Sequence, residues 1–284
     1  MTRRMLSSGR EAVVEQDDTG WTLKVGGFAQ SHIGVPGEAA KHTVMRWMHA
    51  AARELLTDRG GAAALHIGGG AATLPRLLQH DDPGMRQRVI ELEPAIVQLV
   101  GELAPPPDGV ELVVDDGRAA LHAAAAASVS LVTIDVFDGG GVPAPFTSIE
   151  CFGAARRALA PGGALMINSA DAPPLTFVRT QLATLRAVFA HVGMITRGST
   201  LAIRPGNIVL LASDAALPIE AIRSRLEPMR PRTMVVGWPR LERFVADTQP
   251  APVSDATAIP YAEPLLSRFS APGVVPASLT APLP

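Results

Sequence analysis

The sequence predicts a doubly wound α/β fold with a small antiparallel β domain at its N-terminus. Three observations predict it. An apolar run over residues 62–67 enters a triple glycine, Gly68-Gly69-Gly70, and a helical pattern (Leu74, Leu77, Leu78) leaves it. About 20 residues further on, Arg88-Val89-Ile90-Glu91 reads as a second strand closed by a carboxylate. Strand-like and helix-like segments then alternate as far as Leu211, the pattern of a mainly parallel sheet covered by helices on both faces.

Taken in order, Ala12-Val13-Val14-Glu15 and Trp21-Thr22-Leu23-Lys24-Val25 flank Asp17-Asp18-Thr19-Gly20, a hairpin turn. Phe28-Ala29-Gln30-Ser31 extends this sheet, and residues 1–37 form the small β domain. Residues 38–56 carry apolar positions at helical spacing, stopped by Gly60-Gly61. In the main domain, residues 38–248, strands are predicted at 63–68, 88–91, 110–114, 131–135, 164–168, 194–197 and 207–211. Helices are predicted at 73–79, 95–102, 117–126, 148–159 and 176–189, with the pattern continuing through 219–226. Residues 249–284 are rich in Pro, Ala and Ser and read as a mostly disordered tail.

Composition removes several classes of function. The formal net charge is −2 and no basic stripe with interleaved aromatics occurs, so nucleic acid is not an expected partner. No apolar run is long enough to span a bilayer, so no membrane association is expected. Met1-Thr2-Arg3-Arg4-Met5 carries charge without an apolar stretch behind it, unlike a secretory leader, and a cytoplasmic location is expected. Cys151 is the only cysteine, and no His/Asp/Glu group has metal-ligand spacing, so no metal is expected.

The glycine turn and the acidic strand end together suit a nucleoside. Glycine at Gly68 and Gly70 lets the backbone turn sharply and a ligand approach closely. Glu91 stands where a carboxylate accepts from ribose hydroxyls. Thr73 occupies the third small position of a dinucleotide fingerprint, and Gly68-x-Gly70-x-Ala72 is the looser spacing of proteins that bind S-adenosylmethionine and its relatives. Asp116-Gly117 follows the third strand, in place to accept from an adenine amine. Asp135-Val136-Phe137-Asp138 follows the fourth, with Asp135 facing the reactive end of the ligand. Asp138 reads equally well as a plain turn residue.

In this order, Gln30-Ser31, His66-Ile67-Gly68-Gly69-Gly70, Val89-Ile90-Glu91-Leu92-Glu93, Asp116-Gly117, Asp135-x-x-Asp138 and Leu159-Ala160-Pro161-Gly162-Gly163 resemble the spermidine synthase (polyamine aminopropyltransferase) family. Met45-Arg46-Trp47, Asp135-Val136-Phe137 and Gly206-Asn207-Ile208-Val209-Leu210 are similar to its divergent actinobacterial members. The resemblance implies a class I methyltransferase-like Rossmann domain behind the β domain, a homodimer, and no tightly bound cofactor. It implies transfer of an aminopropyl group from decarboxylated S-adenosylmethionine to a diamine such as putrescine, releasing methylthioadenosine. Residue by residue, it implies Gly68 and Gly70 for the donor loop, Glu91 for the ribose and Asp116-Gly117 for the adenine. It assigns Asp135 as the catalytic base, Asp138 as the group orienting the amine, and Gln30 as a pocket residue.

The departures from the family pattern are equally specific. Ala71 and Ala72 replace the Asp-Gly whose carboxylate binds the donor's terminal amine. His42-Thr43-Val44-Met45 replaces a Tyr-His-Glu-Met pocket segment, Gly139-Gly140-Gly141-Val142-Pro143 replaces a Pro-x-Gly-Pro loop, and the tyrosine-bearing C-terminal motif is not recognisable. The nucleoside half of the site is thus expected intact and the polyamine half eroded. That leaves two alternatives: a methyltransferase using S-adenosylmethionine on another acceptor, or a non-catalytic family member. His32 and His42 fall near the expected pocket, whereas His66 is expected in the core.

Overall fold

The computed structural model describes residues 1–261 apart from 36, 139–140, 203–204, 231 and 239. Strands β1 (Thr2–Met5), β2 (Glu11–Asp17), β3 (Gly20–Val25) and β4 (Phe28–Gly34) make an antiparallel sheet in that order. The Asp17 carboxylate accepts from the Thr19 amide at 2.8 Å and fixes the β2–β3 turn. Strand β1 was not among the expected elements: its four residues, Thr-Arg-Arg-Met, carry charge where an apolar alternation would signal a strand. Leu6, Ala12, Val14, Leu23 and Val25 form the inner face of this sheet.

The chain continues through α1 (Thr43–Leu55), β5 (Ala63–Ile67), α2 (Thr73–Asp81), β6 (Arg86–Glu91), α3 (Pro94–Leu103), β7 (Val110–Val114), α4 (Gly117–Ala123) and β8 (Val129–Ile134). Then follow α5 (Ile149–Ala158), β9 (Leu159–Asp171), α6 (Thr176–Val188), β10 (His191–Arg197), α7 (Gly198–Ala202), β11 (Gly206–Ser213), α8 (Ile219–Leu226), β12 (Thr233–Gly237) and α9 (Arg240–Ala246). The second sheet has the order β12-β10-β11-β9-β8-β5-β6-β7. Strands β7, β6, β5, β8 and β9 are parallel, while β11, β10 and β12 join antiparallel.

From β5 the chain winds outward through β6 and β7 on one side, then returns to β8 and β9 on the other. The reversal falls between β5 and β8, and a ligand crevice is expected outside their C-terminal ends. The expected doubly wound α/β class is what the chain forms, and its residues explain why. Ile67, Ile90, Ile134 and Ile167 face a core with α5 and α6, whereas Leu131, Met166, Ile195 and Val209 face α1, α2 and α8. Strand interiors apolar on both faces are characteristic of parallel strands buried between helices. The N-terminal sheet packs its apolar face on Ile96, Leu99 and Val100 of α3.

One expectation needs correction. Strand β9 is 13 residues long, where the sequence indicated 164–168, because the extended Leu159-Ala160-Pro161-Gly162-Gly163 segment joins it through a register shift against β8. Of the tail read as mostly disordered, residues 249–261 are described, and they dock on the main domain. The Ile149 amide donates to the Val253 carbonyl at 2.8 Å, Arg118 bonds the Asp255 carboxylate at 2.7 Å, and the Tyr261 ring stacks on Phe177 with centroids 4.2 Å apart. Those contacts depend on single polar and aromatic residues that a composition argument averages away. Residues 262–284 lie outside the described residues. Among the described residues no helix is long and apolar enough to cross a membrane.

Candidate active site

The crevice is built around the exit of β5. Gly68 takes φ +82°, and a Cβ there would lie 2.2 Å from the Asp135 carbonyl oxygen. The Gly68 amide donates to Ile90 O at 2.9 Å and the Asp135 amide to Ile67 O at 2.8 Å, so three strand ends are laced together at this point. The Gly69 and Gly70 amides donate to Glu91 Oε2 at 3.2 and 2.8 Å, and the Glu93 amide donates to Oε1 at 3.1 Å. Three backbone donors therefore hold the Glu91 carboxylate in one orientation, with one lone pair of Oε1 left for a hydroxyl donor.

Strand β4 rests on the same loop. A Cβ on Gly70 would come 2.3 Å from Ser31 Oγ, and Thr73 Oγ1 donates to the His32 carbonyl at 2.8 Å. Leu23 pairs with Ser31 and Lys24 with Ala29, which leaves Gln30 as the extra residue of a β-bulge, exposed beside the glycine loop. Bulges re-aim side chains in this way next to functional sites.

Asp135 follows β8 and is half-buried. Its Oδ1 accepts from Asn168 Nδ2 at 2.8 Å, and Asn168 Oδ1 in turn accepts from Asn207 Nδ2 at 3.3 Å. Burial pushes the Asp135 carboxyl up to about 6; the Asn168 hydrogen bond opposes this rise and the neighbouring Glu91 charge adds to it. Asn168 and Asn207 were absent from the candidate residues. Their signal in the sequence is a polar residue at an apolar-parity position of a buried strand, Met166-x-Asn168 and Asn207-x-Val209.

The remaining candidates are placed less centrally. Asp116 caps α4, its Oδ1 accepting from the Ala119 amide at 2.7 Å, and it is exposed. Gly117 lets α4 approach β5, since a Cβ would lie 2.5 Å from Ile67 Cγ2. Asp138 stands in a turn with a side chain 78 % exposed and pairs with Arg10 at 3.1 Å. The structure thus brings Gly68, Gly70, Glu91 and Asp135 together, with Gln30 at the rim, and leaves Asp138 on the surface.

Ala71 is buried in the apolar cluster with Leu99 and Val100 and offers the crevice no charge. His66 is a core residue, as expected, bonded to Thr133 and Gln87 at 2.8 and 3.0 Å, and burial lowers its pKa to about 4. No group of three or more metal-ligating residues occurs among the described residues.

This sheet, wound about β5 and β8 and preceded by an antiparallel β unit, is the class I methyltransferase-like Rossmann fold with an N-terminal sheet. No family model matches the sequence. A probable spermidine synthase from Corynebacterium glutamicum superposes with a TM-score of 0.82 at 28% identity, over 89% of this chain and 96% of that one. A spermidine synthase from Thermotoga maritima gives a TM-score of 0.59 at 16% identity, over 81% of this chain and 78% of that one, a likeness of fold. A probable polyamine aminopropyl transferase of Bifidobacterium longum is 30% identical over 126 residues, which are 44% of this chain but only 28% of that protein. The resemblance to the spermidine synthase family read from the motifs is borne out by these relatives.

Proposed function

We propose that the chain is an aminopropyltransferase of the spermidine synthase type, with decarboxylated S-adenosylmethionine as donor and an amine as acceptor. The adenosine lies over Gly68 and Gly70, with its ribose hydroxyls on Glu91 and its adenine beside Asp116-Gly117. The acceptor nitrogen attacks the propyl carbon bonded to the sulfonium. A C–N bond forms, the C–S bond breaks with its electron pair going to sulfur, and methylthioadenosine leaves.

Asp135 takes the proton that the attacking amine must lose. A primary amine has a pKa of ~10.4, so it is neutral in less than about one part in 10³ at pH 7. Raising the carboxyl from 3.8 to about 6 closes the gap to the amine by about 2 units, worth roughly 3 kcal/mol of proton-transfer driving force. One observation carries the reading: the loop that fixes Glu91 through two amides is the same loop wedged against the backbone of Asp135. Ribose acceptor and base therefore share one crevice.

Purified protein given decarboxylated S-adenosylmethionine and a panel of diamines and amino acids should release methylthioadenosine, detected by chromatography. No release with any acceptor would remove this activity. The burial of Ala71 favours a second reading, methyl transfer from intact S-adenosylmethionine, because the family's partner for the donor amine is missing. Calorimetry separates the two: binding of the intact donor about tenfold tighter than the decarboxylated one supports methyl transfer. A homodimer is part of the same proposal, to be checked by sedimentation of the full chain.

A further inference from the structure

We infer that the acceptor carries a carboxylate at the end remote from its reacting amine, and that Arg197 is the residue that grips it; this rests on the donor site proposed above.

Strand parity puts four polar side chains on one face of the sheet. Leu131 of β8, Met166 of β9, Val209 of β11 and Ile195 of β10 all point into the core beneath α1. Asp135, Asn168, Asn207 and Arg197 each lie an even number of residues nearer the crevice on the same four segments, so all four rise from the same face of the sheet. They form one row. Asp135 is bonded to Asn168 and Asn168 to Asn207, while Thr196 Oγ1, beside Arg197, donates to the Asn207 carbonyl at 3.2 Å. Three interstrand steps and a two-residue offset along the strands, since Asn168 pairs with Val209 and Asn207 with Ala170, separate Asp135 from Arg197, about 16 Å at the backbone. A base stands at one end of this row and a cation at the other.

The cation is incompletely used. Arg197 Nη2 donates to Thr43 Oγ1 at 2.9 Å, and its guanidinium lies 5.9 Å from the Trp47 ring centre. Its Nε is buried without a hydrogen-bond partner, and among the described residues no carboxylate makes an ion pair with it. Buried donors are ordinarily satisfied, so an unmatched guanidinium N–H marks a place for an acceptor. Among the described residues the surroundings do not supply one. Helix α1 has no acidic residue in its first turn, its cap residue His42 makes no capping bond, and His42 Nε2 is also buried without a partner. Lys41 is already paired with Asp17, and Arg46 donates to the carbonyl of Lys41.

A diamine would present its far ammonium to this guanidinium, placing two like charges together. A carboxylate there would accept from Arg197 in the charge-assisted geometry that guanidinium groups favour.

The probes are two pairs that differ only by that carboxylate, L-ornithine against putrescine and L-lysine against cadaverine. Each is titrated calorimetrically into the full chain saturated with methylthioadenosine. At least one amino acid should bind about tenfold or more tightly than its diamine, and Arg197→Gln should abolish that preference while Arg197→Lys retains part of it. Methylthioadenosine binding to each variant checks that the fold and donor site are intact. Equal or tighter diamine binding, no acceptor binding in either series, or a preference indifferent to Arg197→Gln would overturn the inference. Failure of methylthioadenosine itself to bind would overturn the donor-site reading, and this one with it.

Discussion

Replacing Asp135 with Asn should abolish turnover and yet make the protein more stable at neutral pH. The two effects have one cause. The Asp135 carboxyl titrates near 6 in the folded chain against 3.8 for an unperturbed aspartate, so the folded state holds its proton more tightly than the unfolded state. Between those values the unfolded state is ionised while the native state remains protonated, and native stability therefore falls as pH rises through about 4 to 6. Above pH 6 the full cost of a desolvated carboxylate is present. Two units correspond to about 3 kcal/mol, a ceiling because the side chain is only half-buried and partly solvated. Asn keeps the contact that matters, since its Oδ1 still accepts from Asn168 Nδ2, now at 2.8 Å from the carboxylate. Asp135→Asn should therefore raise the melting temperature by several degrees at pH 7.5, at roughly 2–4 °C per kcal/mol for a chain of this size. The gain should shrink toward zero as pH is lowered to about 4, where the native aspartate is also neutral. Melting curves for both proteins across pH 4 to 8, set beside methylthioadenosine release, test this. A variant less stable than the parent at pH 7.5, or a gain independent of pH, would refute the claim that Asp135 is held ionised at a cost.

Three further outcomes follow from the same geometry. Asn168→Ala removes the hydrogen bond that holds the Asp135 pKa down, so the acid limb of kcat/KM should move to higher pH by about one unit, read from a pH–rate profile. Glu91→Gln exchanges a carboxylate held by the Gly69, Gly70 and Glu93 amides for a weaker neutral acceptor, and methylthioadenosine affinity measured by calorimetry should fall about 10- to 150-fold. Gly68→Ala puts a methyl group 2.2 Å from a carbonyl oxygen at φ +82°, and the melting temperature should drop by several degrees with loss of donor binding.

How much of this was legible in the sequence depends on whether a residue's role is local. The donor half is written in short runs: a triple glycine after an apolar strand and a carboxylate one strand later. Backbone geometry then forces Gly68 against Asp135 and Glu91 beneath Gly69 and Gly70. Asp138 shows the limit of that logic. It lies three residues from Asp135, but the chain has already left the strand, and its carboxylate turns outward to Arg10 of the N-terminal sheet. The resemblance assigned it to the amine, the local sequence read equally well as a plain turn, and the side chain here has the exposure of the latter.

The opposite error explains Asn168, Asn207 and Arg197. They come from three separate strands, and what unites them is the register across β8, β9, β11 and β10, which no local motif encodes. Each alone looks like a polar interruption in an apolar run. Aligned, they carry a hydrogen-bonded line of polar side chains from Asp135 across the face beneath α1 to Arg197 at the start of that helix. A pocket that receives an anion has no place for a carboxylate beside Arg197, and among the described residues none pairs with it. On the proposed function the acceptor half is inverted in charge rather than eroded, and Asp135, anchored by Asn168, takes the proton at its inner end.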